Sequence, residues 1–169
     1  RIYSRRRNSC TCTKMGEIMT SIDFGTCSEA LLGSQYECGD IAVIEKYDNQ
    51  CFIALIDVLG HGIEARKIAL SAKSYLENNY KKSLIDIMNG LHEHLKGTRG
   101  AVVAICNLDI LTGEFTYVGM GNITVRIFGV KPTRLTPKDG IVGYRMTTPK
   151  QLILKLYPED IVLMHSDGI

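Results

Sequence analysis

The sequence contains no apolar run that approaches the length needed to span a bilayer, and it shows no signal-peptide pattern. It also lacks a strong charge imbalance, since its formal net charge of +2 is too small to indicate a nucleic-acid partner. No internal repeat, low-complexity tract or linker divides it. We therefore expect one domain with neither a membrane nor a nucleic-acid partner. The basic cluster Arg1, Arg5, Arg6 and Arg7 is interpreted as part of a flexible N-terminal segment over residues 1–18.

The six cysteines include no Cys-x-x-Cys pair, and a chain of 169 residues does not need disulfides in order to fold. Cys51 and Cys106 lie in apolar runs, which predicts that they behave as small buried hydrophobic residues. Cys10 and Cys12 alone are a weak signal for a metal site. We expect reduced, structural cysteines, which fits a cytoplasmic location.

The apolar pattern is that of an ordinary globular protein, with 45% hydrophobic and 22% charged residues. Helical spacing predicts two helices, over about 65–80 and 84–95, and residues 47–50 form a predicted hairpin turn. The predicted strands are 19–27, 41–46, 51–58, 101–108, 114–119, 123–128, 152–156 and 161–165. Strands, two helices and then a meander of strands predict an α+β fold, with antiparallel sheets and helices packed outside them.

Three aspartates, Asp40, Asp57 and Asp167, stand at the ends of predicted strands, each beside a glycine or a tight turn. Any one of them alone is as well explained as a turn or cap residue. If they converge, carboxylates about 4 Å apart repel by ~1 kcal/mol per pair in water and ~4 kcal/mol near a protein surface. A fold gathers such groups when a cation reverses the sign of the interaction, and an all-oxygen ligand set favours magnesium or manganese over zinc.

Residues 60–65 match the Gly-x-Gly-x-x-Ala fingerprint of dinucleotide-binding proteins, between a predicted strand and a predicted helix. Three features disfavour that reading. Asp57 would place a carboxylate close to the pyrophosphate, the acidic residue expected about 20 positions on falls near Asp86 inside a helix, and no β-α-β units follow. The glycines still allow main-chain groups to approach an anion or a metal.

Four stretches in this order resemble the type 2C metal-dependent Ser/Thr phosphatases, in the bacterial SpoIIE-like branch and its short RsbX type. The stretches are 38–40 (CGD), 54–65 (ALIDVLGHGIEA), 116–122 (TYVGMGN) and 163–168 (LMHSDG). Residues 96–101 (KGTRGA) also resemble the RsbX type. The resemblance extends from about residue 19 to residue 169, which we interpret as the phosphatase domain.

The resemblance implies a β-sandwich flanked by helices in α-β-β-α layers, with two magnesium or manganese ions at one end. By that mapping Asp57 bridges both ions, Asp40 and the main-chain carbonyl of Val58 hold one of them, and Asp167 holds the other. A metal-activated water would attack the phosphorus in line, without a phospho-enzyme.

The resemblance also implies a substrate, a phosphoserine or phosphothreonine on a STAS-type protein of bacterial stress or sporulation signalling. Gly60, His61 and Gly62 are the expected contacts to substrate phosphate. Relatives carry Ser or Asn at the position of His61, so we do not expect this histidine to act as a general base.

One feature of the family pattern is missing. Members supply a further metal-binding aspartate from an Asp-Asp pair beyond the Asp-Gly motif, whereas this sequence ends at Ile169. We expect either that the C-terminal end is truncated or that one metal site is incomplete. The second possibility leaves an alternative function, a non-catalytic binding module with the phosphatase fold.

Overall fold

The computed structural model describes residues 21–27 and 38–167, and these residues contain ten strands and two helices. In chain order the elements are β1 (Asp40–Tyr47), β2 (Gln50–Val58), α1 (Ile63–Asn79), α2 (Leu84–His94), β3 (Ala101–Asp109), β4 (Glu114–Met120), β5 (Thr124–Phe128), β6 (Thr133–Leu135), β7 (Gly140–Ile141), β8 (Arg145–Met146), β9 (Leu152–Lys155) and β10 (Ile161–His165).

The strands form two antiparallel sheets and one short hairpin. The larger sheet has the order β1-β2-β3-β4-β9, the smaller one has the order β10-β5-β6, and β7 pairs with β8. Neighbouring strands of the larger sheet from β1 to β4 are also neighbours in sequence, so short turns connect all of them except β2 and β3. The chain between β2 and β3 forms the two helices.

The central strand β3 contributes side chains to two apolar cores, one on each face of the larger sheet. Val103 and Ile105 belong to the apolar core under the helices, whereas Ala104 and Cys106 belong to a second core that also contains residues of the smaller sheet. Successive side chains of a strand point to opposite faces, so β3 is buried on both sides. This double burial explains why its sequence is a nearly continuous apolar run.

Helix α1 packs on the larger sheet through small residues. Its buried positions are Ala65, Ala69, Ala72 and Leu76, spaced at three or four residues, as a helix with one buried face requires. Helix α2 begins at the N-cap Ser83, whose hydroxyl oxygen accepts a hydrogen bond from the main-chain N–H of Asp86. Among the described residues, neither helix is both long and apolar enough to cross a membrane.

The α+β class and the antiparallel sandwich predicted from the sequence are confirmed, and both helices and most of the strands lie within a few residues of their predicted bounds. The helices described here lie on one side of the larger sheet, so the described residues supply three of the four expected layers. Cys51 and Cys106 are fully buried and unpaired, as predicted.

One predicted strand is wrong for the part that the structure describes. Residues 21–27 of the predicted strand 19–27 join no sheet. They contact β1 through Lys46, whose Nζ donates to the carbonyl oxygen of Ile22 at 3.1 Å and lies 5.0 Å from the centre of the Phe24 ring. A side-chain contact of this kind gives no ladder of main-chain hydrogen bonds. Residues 1–20, with Cys10, Cys12 and the basic cluster, and residues 168–169 lie outside the described residues.

Candidate functional site

Several strands begin or end together at one end of the sandwich. Strand β1 begins at Asp40, β2 ends at Val58 and β3 begins at Ala101, and the register pairs Asp40 with Asp57 and Val58 with Ala101. Strand β10 of the smaller sheet ends at His165, two residues before Asp167. The antiparallel meander therefore brings residues that are far apart in the sequence to one edge.

Asp40 and Asp57 lie directly opposite each other on neighbouring antiparallel strands. Directly opposed residues have Cβ atoms about 5 Å apart, so their carboxylates crowd each other. The pKa of Asp57 is raised from 3.8 to about 7, first because burial disfavours the ionised carboxylate, then because of the charge of Asp40 and, to a smaller extent, that of Asp167. The three aspartates predicted from the sequence thus form one electrostatic cluster.

Two neutral side chains from the sandwich orient this cluster. Ser166 is buried, with 8% exposure, and donates a hydrogen bond from Oγ to Oδ2 of Asp40 at 2.7 Å. Asn122 donates from Nδ2 to Oδ2 of Asp167 at 3.1 Å. Neither residue was predicted from the sequence to have a role, although both lie inside stretches that carry the family resemblance.

Two main-chain carbonyls lie beside Gly39, the residue that precedes Asp40. A Cβ atom added to Gly39 would lie 3.2 Å from the carbonyl oxygen of Val58 and 3.5 Å from that of Gly60. Glycine is therefore needed at position 39 so that the segment after β2 can approach the start of β1 closely. The main-chain N–H of Val58 also donates to the carbonyl oxygen of Gly39 at 3.4 Å.

The segment Gly60-His61-Gly62 connects β2 to α1 in a conformation that favours glycine, with φ of +93° at Gly60 and +85° at Gly62. His61 is exposed and makes no hydrogen bond or ion pair with the described residues. His61 follows shortly after β2, next to the edge of the sandwich that carries Asp40, Asp57 and Asp167, which we call the aspartate edge. No partner among the described residues orients it as a base.

The charge of the cluster is not balanced by any basic side chain of the described residues. Within residues 21–27 and 38–167, no Lys, Arg or His forms an ion pair with Asp40, Asp57 or Asp167, since the three ion pairs found there involve other residues. An uncompensated group of carboxylate oxygens fits a hard divalent cation. In these ranges, no group of three or more His, Cys, Asp or Glu side chains is close enough together to hold one metal ion. The donors present fit cations that take one or two carboxylates each and keep water ligands, as magnesium does.

Ser166 is expected to position Asp40 for metal binding. Removing the hydroxyl in Ser166→Ala frees the Asp40 carboxylate to rotate, and loss of such an outer partner typically weakens metal affinity by about 10–100-fold. Calorimetric titration with manganese would measure this change, and Ser166→Thr, which keeps a hydroxyl, should recover part of it. The matched control is Ser71→Ala, which removes an exposed hydroxyl bonded to His94 at 2.9 Å on helix α1. Equal manganese affinities in Ser166→Ala and Ser71→Ala would contradict the positioning role.

The sequence of this chain matches a family model and is similar to a curated protein. The family model of Stage II sporulation protein E (SpoIIE) matches residues 47–169, well over half of the chain. Among curated proteins, phosphoserine phosphatase RsbX of Bacillus subtilis (strain 168) is 28% identical over 86 residues, which are 51% of this chain and 43% of that protein. The chain thus spans less than half the length of this curated relative.

Two solved structures share the fold. A chain from a structure described as "The bacterial stressosome: a modular system that has been adapted to control secondary messenger signaling" has a TM-score of 0.75 and 33% identity, over 78% of this chain and 70% of its own length. A structure of RsbX in complex with magnesium has a TM-score of 0.72 and 22% identity, over 78% of this chain and 67% of its own length.

Proposed function

We propose, from the premise that this chain belongs to the Stage II sporulation protein E (SpoIIE) family, that it removes phosphate from serine or threonine residues of another protein. Membership places it in the SpoIIE-like branch of the type 2C phosphatases, as its four sequence stretches predict. The similar RsbX protein is a phosphoserine phosphatase.

The observation that carries the proposal is the opposed pair Asp40 and Asp57, joined by Asp167 in a cluster without a basic partner among the described residues. Such a cluster costs free energy in the absence of a cation, because like charges in a partly buried site repel. A protein that maintains it gains when divalent cations bind.

We assign the metal ligands by position. Asp40 and Asp57, with the carbonyl oxygen of Val58, would hold one cation, and Asp57 with Asp167 would hold a second. Two magnesium or manganese ions bound there would supply the Lewis-acid chemistry that ionises water and neutralises phosphoryl oxygens. Ser166 and Asn122 keep the Asp40 and Asp167 carboxylates oriented by hydrogen bonds to one oxygen of each.

The glycine-rich loop Gly60-His61-Gly62 is assigned to the substrate phosphate. The support is its position directly after β2, which carries Asp57, and the positive φ angles at both glycines, which let the main chain turn tightly there. The exposed His61 is assigned a phosphate contact instead of a general-base role, because no acceptor among the described residues orients its ring.

For the substrate we propose a phosphorylated STAS-type protein of bacterial stress or sporulation signalling, met in the cytoplasm. The support is the 33% identity to a chain from a stressosome structure and the similarity to RsbX. The substrate would dock with its phosphoserine or phosphothreonine at the aspartate edge.

The test is release of phosphate from a phosphorylated STAS protein of the same genome, with added manganese or magnesium. We expect faster release than from unrelated phosphopeptides, and complete loss when a chelator removes the cations. Phosphate release that persists in excess chelator would contradict the metal-dependent reaction. Equal rates on unrelated phosphopeptides would contradict the proposed substrate, and a chain that binds the STAS protein without releasing phosphate would be the non-catalytic binding module.

A further inference from the structure

We infer that Arg99 binds the phosphoryl group of the substrate at the aspartate edge, from its position beside Gly60. This inference rests on the proposed phosphatase function and names a residue that the sequence analysis did not assign to the site. It starts from the position of the Arg99 guanidinium group. A Cβ atom added to Gly60 would lie only 2.8 Å from Nη1 of Arg99, so the guanidinium lies directly against the main chain of the glycine-rich loop.

The loop that carries Arg99 is held firmly beside this edge. Helix α2 ends at His94, and the hydroxyl of Thr98 then donates to the carbonyl oxygen of Leu95 at 2.7 Å and accepts from the N–H of Gly100 at 3.1 Å. The main-chain N–H of Leu59 donates to the carbonyl oxygen of Gly100 at 3.1 Å. Arg99 thus lies between Thr98, which is bonded to the end of α2, and Gly100, which is bonded to the segment that leads from Asp57 to the glycine-rich loop.

Main-chain contacts connect Arg99 to the aspartates. The guanidinium lies against Gly60, the carbonyl oxygen of Gly60 lies 3.5 Å from a Cβ placed on Gly39, and Gly39 immediately precedes Asp40. Arg99 therefore touches the residue whose carbonyl oxygen lies next to the start of β1, and a phosphoryl group held at the aspartate edge has Arg99 as a cationic neighbour.

The charge of Arg99 is available to a ligand. Its side chain is exposed, and among the described residues it forms no hydrogen bond and no ion pair within 4.0 Å. The carboxylate of Glu64 has its pKa lowered mainly by Lys67 and only in a minor way by Arg99. Lys67 already pairs with Glu64 at 2.7 Å, so Arg99 is left without a fixed counterion in the described part of the chain.

The chemistry of the site needs such a cation. A phosphate monoester that approaches three aspartates is repelled by them except where bound cations reverse the field. A planar guanidinium offers two parallel N–H donors that match two phosphoryl oxygens, which a lysine ammonium does not. Arg99 would therefore act on the substrate oxygens that the metal ligands leave free, and it would contribute to binding of the phosphoryl group in both substrate and product.

The experiment compares Arg99→Ala, Arg99→Lys and the wild-type chain, all saturated with manganese. The probes are p-nitrophenyl phosphate as substrate and inorganic phosphate as competing product. Losing a charged, two-point hydrogen bond should raise KM for the ester and the inhibition constant of phosphate by about tenfold or more, with a smaller change in kcat. Arg99→Lys should lie between the wild type and Arg99→Ala, because it keeps the charge and loses the fork.

The matched control is Lys155→Ala, which removes one exposed positive charge at the opposite end of the larger sheet, where Lys155 pairs in register with Glu114. This control accounts for any effect of net charge alone. The inference is overturned if Arg99→Ala and Lys155→Ala have the same inhibition constant for phosphate. It is also overturned if Arg99→Ala lowers kcat or the melting temperature while KM and the inhibition constant stay at the wild-type values.

Equilibrium binding of inorganic phosphate to the manganese-loaded chain, measured by calorimetry, separates this inference from the proposed function. A wild-type chain that hydrolyses neither p-nitrophenyl phosphate nor a phosphoprotein would contradict the phosphatase, while weaker phosphate binding by Arg99→Ala would still support the role of Arg99. If Arg99→Ala does not fold, Arg99→Lys carries the same comparison, and wild-type phosphate affinity in that variant overturns the two-point contact.

Discussion

Replacing Asp57 by asparagine is expected to lower the rate of phosphate release by about a thousandfold, a loss of ~4 kcal/mol in transition-state stabilisation. Asp57 lies opposite Asp40 and interacts electrostatically with Asp167. Its carboxylate is therefore the one that both proposed cations would share, and Asn has the same shape without the charge. Metal affinity and the activation of water should fall together. Initial rates would be measured at saturating manganese, with the melting temperature as a folding control.

The control for this prediction is His61→Ala on the same loop. Because His61 is exposed and makes no hydrogen bond or ion pair with the described residues that would orient it, its removal should lower the rate by about tenfold, through a lost phosphate contact. If His61→Ala proved as damaging as Asp57→Asn, a histidine-based mechanism would have to replace the metal-based one.

Asp57→Asn should stabilise the metal-free protein at pH 8. The pKa of Asp57 is raised by burial and by the charges of Asp40 and Asp167, from 3.8 in the absence of these effects to about 7. Between those two values the folded protein binds more protons than the unfolded chain, so the free energy of unfolding falls as the pH rises, and the full penalty is present above pH 7. A shift of this size corresponds to about 4 kcal/mol without screening, and solvent around this partly exposed carboxylate should reduce it to about 1–2 kcal/mol.

Thermal unfolding in chelator from pH 5 to pH 8 would measure this effect. The advantage of Asp57→Asn over the wild type should grow with pH and reach about 4 °C in melting temperature. Added manganese should reverse the order, because only the wild type retains the full ligand set and ligand binding stabilises the folded state.

Asp109→Asn is the control for the pH series, because the pKa shift of Asp109 has the opposite sign to that of Asp57. The pKa of Asp109 is lowered, first by the main-chain N–H of Thr112. A lowered pKa contributes stability above the unfolded value, so this variant should gain nothing at pH 8. An Asp57→Asn variant that is less stable than the wild type in chelator at every pH would show that the carboxylate cluster is not strained.

The periodic elements were predictable because their signals are local. The apolar stripe of α1, with buried Ala65, Ala69, Ala72 and Leu76, appears in the sequence at helical spacing. Strands β2 and β3 appear as apolar runs of eight or nine residues bounded by turns. The three short strands β6, β7 and β8, of two or three residues each, were not predicted because so few residues contain no period.

The error at residues 19–27 has the same origin. A strand-like run predicts extended chain, but whether it pairs depends on a partner edge with free main-chain groups in the right place. The described part of this run contacts β1 through Lys46 without a ladder. Local pattern alone does not distinguish the two outcomes.

The sequence by itself determined both helices, the longer strands, the placement of Asp40, Asp57 and Asp167 at strand ends, and the family. Only the tertiary structure decided which groups face one another: Asp57 opposite Asp40, Ser166 bonded to Asp40 from 126 residues away, and Arg99 against Gly60. Strand and helix periods are encoded by neighbours within a few residues, whereas a hydrogen bond between two sheets depends on the register and packing of both. Such contacts are fixed only when the whole sandwich has formed, and the orientation of the carboxylates depends on them.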